Sequence, residues 1–147
     1  SQAIDFFQRS IGLAEEHLLD SRTLHSQVKL GQAYLADQQL DAAGQLLETT
    51  YRRAQEHAPE SWTASLAESA WADLLLTTGQ PALAADHIRH SYEGLSQLAA
   101  AQPPRGASRA LRDAIELQIR LAEMQDDASA IRHWRETLAE LEATYDR

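Results

Sequence analysis

Two histidines on one predicted helix are the residues whose type and spacing come nearest to chemistry. His87 and His90 lie three residues apart beside Asp86, so their side chains leave neighbouring parts of one helix face. A zinc site needs further convergent ligands and a second shell, and the sequence has no HExxH motif and no cysteine. His133 would join the pair only if its helix lay beside theirs. We interpret these histidines as solvated surface residues and predict no metal and no cofactor.

Other reactive groups lack partners at a catalytic spacing. The adjacent carboxylates Glu15–Glu16 and Asp126–Asp127 would point about 100° apart on a helix, and acids beside turns usually cap helices. No serine lies in a GxSxG motif, and no glycine-rich phosphate loop is present. The sequence therefore predicts no catalytic residue and no enzyme.

Aromatic and basic side chains are the remaining candidates for binding. Trp71, Tyr92 and Trp134 fall on apolar stripes and are predicted core residues, whereas Trp62 begins its helix and is a candidate surface aromatic. A basic strip would bind a carboxylate-bearing peptide, and arginines that balance nearby acids explain it equally well, so both interpretations stay open. The arginines concerned are Arg52, Arg53, Arg105, Arg109, Arg112 and Arg120.

Composition limits the class of protein that carries these residues. The 147 residues suit one domain, and a formal charge of −9 disfavours binding to nucleic acid or to an anionic membrane. Abundant Ala, Leu, Glu and Gln favour helix over strand. The absence of cysteine fits a reducing, cytoplasmic compartment. We expect a single all-α domain spanning residues 1–147.

Apolar residues recur at helical spacing along the whole chain and predict seven helices. A lone helix is predicted over about residues 3–19, followed by helix pairs over about 22–57, 60–100 and 107–145. The apolar face of the lone helix consists of Ile4, Phe7, Ile11, Ala14 and Leu18.

Turn residues mark the corners between these helices. Ser61 is a predicted N-cap, Gly79 suits the left-handed position after a helix, and Pro81 suits the first turn of the next. Pro103 and Pro104 place a loop between the second and third pairs.

The first two helix pairs are related by a shift of 41 residues. Small residues at helix crossings and larger apolar residues one turn away are the pattern that close packing requires. A third pair needs a shift of roughly 43 to 46 residues, with the proline loop absorbing the difference. The positions related by 41 are Gly31 and Ala72, Tyr34 and Leu75, Ala43 and Ala84, Leu47 and Ile88, and Tyr51 and Tyr92.

The segment "KLGQAYLADQQLDAAGQLL" resembles a tetratricopeptide repeat in the spacing of Leu30, Gly31, Tyr34, Ala43 and Leu47. The longer period is similar to the variety found in kinesin light chains and in C-terminal regions of bacterial signalling proteins. The resemblance covers roughly Ser21 to Tyr145. It implies a right-handed α-solenoid of antiparallel helix pairs, with first helices on the concave side and second helices outside.

This resemblance implies a non-catalytic interaction or sensor module, with a peptide or partner helix bound on the concave surface. Exposed apolar side chains at Val28, Leu35, Leu66 and Leu76 would mark the binding patch. The full set expected to face the groove is His25, Val28, Gln32, Leu35, Leu66, Ser69, Asp73 and Leu76.

The last helix is expected to close the stack. Its polar outer face would meet solvent, and Trp134, Leu138, Leu141 and Tyr145 would face inward against the fifth and sixth helices.

Two alternative functions remain open. One is homo-oligomerisation, with the unpaired first helix or the open last helix buried on a second copy. The other is a small-molecule-sensing helical-repeat domain of a regulator. The chain does not start with Met, so we expect it to belong to a larger protein. The resemblance implies that this larger protein is a bacterial signalling or regulatory protein.

Overall fold

The described chain consists of seven α-helices and contains no strand, which confirms the all-α prediction. The computed structural model describes residues 1–15 and 21–145, with side chains for 1–9 and 22–145. No helix within these ranges is long and apolar enough to cross a membrane. The helices are α1 (Gln2–Glu15), α2 (Ser21–Ala36), α3 (Leu40–His57), α4 (Trp62–Thr77), α5 (Pro81–Ala101), α6 (Ala107–Met124) and α7 (Ala128–Tyr145).

The predicted first helix can be compared with α1 only in part. Ile4 is buried and packs with Leu30 of α2, as its position on an apolar face predicts. Residues 16–19, and the side chains of Ile11, Ala14 and Leu18, lie outside the described part of the chain.

Local rules account for the ends of several helices. The Ser61 side chain accepts a hydrogen bond from the Ala64 amide at 3.1 Å, which confirms the predicted N-cap of α4. Pro81 lies in the first turn of α5, where its missing N–H costs no helical hydrogen bond.

The corners α2–α3, α4–α5 and α6–α7 share one backbone geometry. Each contains a residue with positive φ: Gln38 at 60°, Gly79 at 77° and Asp126 at 53°. The next amide donates to a carbonyl five residues back, which is the hydrogen bond of a Schellman helix end. These bonds run from Gln39 to Tyr34 at 2.9 Å, from Gln80 to Leu75 at 2.8 Å and from Asp127 to Ala122 at 2.9 Å.

The spacing of these corners tests the predicted repeat. Gln38 and Gly79 lie 41 residues apart, as predicted, whereas Gly79 and Asp126 lie 47 apart. The second spacing exceeds the expected 43 to 46. The main reason is helix length, because α5 and α6 have 21 and 18 residues where α3 and α4 have 18 and 16. The loop between α5 and α6 adds only one residue relative to the loop between α3 and α4.

Gly31 allows α2 and α3 to approach closely. A Cβ atom at this position would lie 2.3 Å from Leu47 Cδ2, far inside van der Waals contact. Leu47 itself is completely buried. The predicted small residue at a helix crossing is therefore confirmed for this pair.

Helix contacts arrange α2, α4 and α6 in a row. Each helix packs against the next along the chain, and α4 also contacts both α2 and α6. Apolar clusters fill the spaces between them, and half-buried Trp71 and Leu66 each pack against two of these clusters. The row forms one face of the molecule, on which side chains of three helices meet.

The last helix is less buried than predicted. Trp134 contacts Tyr92 of α5, and Leu141 packs against the cluster of α5 and α6, as expected. Tyr145 lines a cavity together with residues of α5 and α6, but it is 45% exposed and is not buried there. No residue of α7 is fully buried, because α7 packs mainly along α6 and has no following helix to cover its outer side among the described residues.

Candidate functional site

Four of the predicted groove residues come together on the face formed by α2, α4 and α6. Gln32 and Leu35 of α2, with Ser69 and Asp73 of α4, line two adjoining cavities of about 120 and 470 Å³. Gln32 and Asp73 line both cavities, so the two cavities adjoin at these side chains. We call the two cavities together the α2–α4–α6 groove.

The predicted exposed apolar patch is wrong for Val28 and Leu76. Val28 is 1% exposed and packs in the cluster of α2, α3 and α4, while Leu76 is 3% exposed and packs against α5 and α6. Leu66 is half-buried against the core. The smaller cavity is consequently polar, whereas Leu35, Ala36 and Leu40 give the larger cavity an apolar lining.

His25 lies apart from the residues that line the groove. Its side chain is exposed, and it lines neither cavity. Partial burial of the ring, and then the charge of Lys29, lower the pKa of His25.

The smaller cavity holds most of the charge of the groove. Arg120 Nη1 donates to Asp73 Oδ1 at 2.6 Å, and Arg120 Nη2 donates to Thr77 Oγ1 at 3.2 Å. These partly exposed bonds link α6 to α4 at the groove. Asp113 and Glu116 also line this cavity, and neither forms an ion pair within the described ranges.

Asp113 has an unusual environment for a surface acid. Desolvation beside the packed helices is the largest effect and raises the pKa of its carboxyl, and Asp73 adds to the rise. Arg109 and Lys29 act in the opposite direction without cancelling it. Asp113 is nevertheless exposed, so its carboxylate is accessible from the cavity.

Ser69 adds a neutral polar group to the same cavity. It is 8% exposed, and its hydroxyl has no hydrogen-bond partner among the described residues. Every fully buried side-chain N or O atom of the described chain has such a partner. The Ser69 oxygen therefore keeps accessible surface, and Ser69 lines the smaller cavity.

A buried carboxylate forms a second polar cluster on the other side of α4. Glu68 is 3% exposed, yet its Oε2 lies 3.0 Å from His87 Nδ1 and its Oε1 lies 2.5 Å from His90 Nδ1. Tyr51 Oη donates to Glu68 Oε2 at 3.4 Å. Burial of the Tyr51 ring, followed by the charge of Glu68, raises the pKa of the phenol.

Glu68 was not predicted as a functional residue. The available signal was α4 itself, whose apolar residues occupy nearly all sides, so that an acid within it has to be buried. The prediction of surface histidines holds for His90, which is 63% exposed, while His87 is only 28% exposed. His133 lies against Trp134 and does not join this cluster. Within the described ranges, no group of three His, Asp or Glu side chains is placed to hold a metal ion.

Some of the arginines in the predicted basic strip form ion pairs, and others form none with the described residues. Arg52 pairs with Glu48 at 3.3 Å, and Arg120 pairs with Asp73 as described above. Arg53, Arg105 and Arg109 form no ion pair with the described residues. Charge balance thus explains part of the basic composition, and no continuous strip of free arginines crosses the groove.

No protein-family model, curated protein or solved structure matches this chain. The likeness to tetratricopeptide repeats therefore rests on residue spacing alone.

Proposed function

We propose that this chain is a non-catalytic interaction module that binds a peptide segment of a protein partner in the α2–α4–α6 groove. In this proposal the pairs α2/α3, α4/α5 and α6/α7 stack antiparallel into a right-handed solenoid of the tetratricopeptide kind. The matching Schellman corners and the row of α2, α4 and α6 support this stacking. A cytoplasmic setting within a larger bacterial signalling protein fits the composition.

The observation that carries the proposal is that two cavities adjoin at Gln32 and Asp73 on the face formed by α2, α4 and α6. Adjoining cavities along a row of three helices suit an extended ligand of several residues, which can place successive side chains in both. The core on its other side keeps α2, α4 and α6 in place, so the groove is largely formed before binding.

The charges that line the smaller cavity favour a basic peptide. The smaller cavity is lined by three carboxylates and one guanidinium, and the guanidinium is already paired with Asp73. A lysine or arginine side chain would supply the donors that Asp113 and Glu116 lack. We therefore expect the bound segment to carry at least one basic residue.

Selection from a random peptide display library tests this proposal. We expect enrichment of peptides with basic residues, and we expect Glu116→Arg to weaken their binding about tenfold or more in fluorescence anisotropy. Glu136→Arg on exposed α7 is the matched control and should leave affinity unchanged. Equal binding to both variants, or no enrichment of basic residues, would contradict the proposal.

Self-association is a second candidate, favoured by the open side of α7. A cavity of about 320 Å³ there is lined by Tyr92, Leu111, Ile115, Leu141 and the exposed Tyr145, so apolar surface is available to a second copy. Sedimentation velocity over a range of concentrations tests it. A monomer at every concentration would exclude this candidate and leave the groove proposal untouched.

A further inference from the structure

A third polar cavity lies between α4 and α5, away from the α2–α4–α6 groove. It has a volume of about 350 Å³ and shares no lining residue with the groove. Ser65, His90 and Gly94 line it, and His90 joins it to the buried Glu68.

Ser65 points to a ligand in this cavity. The residue is 8% exposed, and its hydroxyl has no hydrogen-bond partner within the described chain. Because every fully buried side-chain N or O atom described here has a partner, the Ser65 oxygen keeps accessible surface, and Ser65 lines this cavity. Gly94 makes this possible, since a Cβ there would lie 2.5 Å from Ser65 Oγ.

The charge of the lining is negative. Glu60 and Glu93 are exposed carboxylates at the cavity, and neither forms an ion pair with the described residues. The lining contains no lysine and no arginine. Glu68 engages His90 through Nδ1, so Nε2 is the ring nitrogen left to act as an acceptor when the imidazole is neutral.

The size of the cavity and the side chains that line it favour an organic cation over a metal ion. The described chain has no group of three suitable side chains placed around a metal position, and the cavity is much larger than one ion. An ammonium group carries three donors for the carboxylate and hydroxyl oxygens. Pro59 and Leu98 add apolar surface for a methylene chain.

We propose that this cavity binds a linear aliphatic diamine, with one ammonium group at Glu93 and Ser65 and the other at Glu60. The site is independent of the peptide groove.

Titration of the ¹⁵N-labelled protein with 1,4-diaminobutane at low ionic strength tests this proposal. We expect saturable shifts of the Ser65 and Gly94 amide signals by about 10 mM ligand, and none with the neutral isostere 1,4-butanediol. The double variant Glu60→Gln/Glu93→Gln should bind about tenfold more weakly. The matched double variant Glu136→Gln/Glu140→Gln, on exposed α7, should bind as the original chain does.

Four outcomes would overturn the proposal: no saturable shift at Ser65 and Gly94, an equal response to butanediol, equal weakening by both double variants, or displacement of the diamine by zinc chloride at the same amides. Glu116→Arg in the groove should leave the diamine titration unchanged, so failure of one site does not decide the other.

Discussion

Tyr92 of α5 and Trp134 of α7 meet edge to face, with ring centroids 4.9 Å apart and ring planes at 84°. Tyr51 and His87 form the same arrangement between α3 and α5, at 5.2 Å and 81°. The two tyrosines are 41 residues apart in the sequence. Tyr51 and Tyr92 are equivalent positions of the sequence repeat, and each makes the same kind of ring contact with a following helix.

Replacing Trp134 by Ala should destabilise the chain by about 2–4 kcal/mol, because its ring pair with Tyr92 joins α7 to α5. Thermal unfolding at concentrations that keep the protein monomeric should show a midpoint lower by about 4 °C or more. Trp134→Phe keeps an aromatic ring and should lose less. A drop under about 2 °C would mean that Trp134 contributes little to the monomer.

Leu76→Asp should unfold the chain or cost at least about 3 kcal/mol, because it places a charge among α4, α5 and α6. Leu83→Asp is the matched control, since Leu83 is 60% exposed and should tolerate the charge within about 0.5 kcal/mol. Urea denaturation measures both. A stable Leu76→Asp protein would mean that Leu76 faces the groove and is not a core residue.

Gly31→Ala should cost about 1–3 kcal/mol because its methyl group overlaps the side chain of the buried Leu47. Gly44→Ala is a suitable comparison, since its Cβ would lie 3.3 Å from Leu74 Cδ2. There the helical preference for Ala offsets a mild contact, and a change within about 1 kcal/mol is expected. Equal stability changes in the two variants would contradict the close crossing of α2 and α3.

Glu68→Gln should lower the free energy of unfolding by about 1–3 kcal/mol, because an amide cannot accept from His87 and His90 with both ends. Glu48→Gln, in an exposed ion pair with Arg52, should change it by less than about 0.5 kcal/mol. Chemical denaturation at neutral pH compares them. If the two variants were equally stable, the buried carboxylate would have no structural role.

Asp113→Asn should stabilise the chain slightly at pH 7. Desolvation raises the pKa of Asp113 in the folded state above its usual 3.8, so the folded protein holds the proton more tightly than the unfolded chain. Ionisation of Asp113 therefore costs stability as pH rises through this window, and the cost is absent below about pH 3.8. Screening at an exposed carboxyl keeps the gain below about 1 kcal/mol.

The pH dependence of the stability difference between the original chain and the Asp113→Asn variant tests this prediction. Denaturation of the original chain and of the Asp113→Asn variant from pH 3 to pH 7 should show a stability advantage of the variant that grows with pH. An advantage that is largest at low pH would mean that the basic neighbours, and not desolvation, determine the titration of Asp113.

Much of the fold followed from the sequence because local chemistry determines helix ends. Ser61, Gly79 and Pro81 act within one helix turn of their own positions, so their roles were predictable without knowledge of packing. The spacing of apolar residues likewise predicted seven helices, and Gly31 marked a close crossing.

The faces of α4 were decided by tertiary packing. Four other helices contact α4, and its apolar residues occupy nearly all sides, so periodicity offered no polar face from which to choose a register. Leu76 was accordingly placed in the groove although it is core, while Ser69 and Asp73 do line the groove. Glu68 meets His87 and His90 only because α4 and α5 pack together, and no spacing within either helix encodes a contact across two helices.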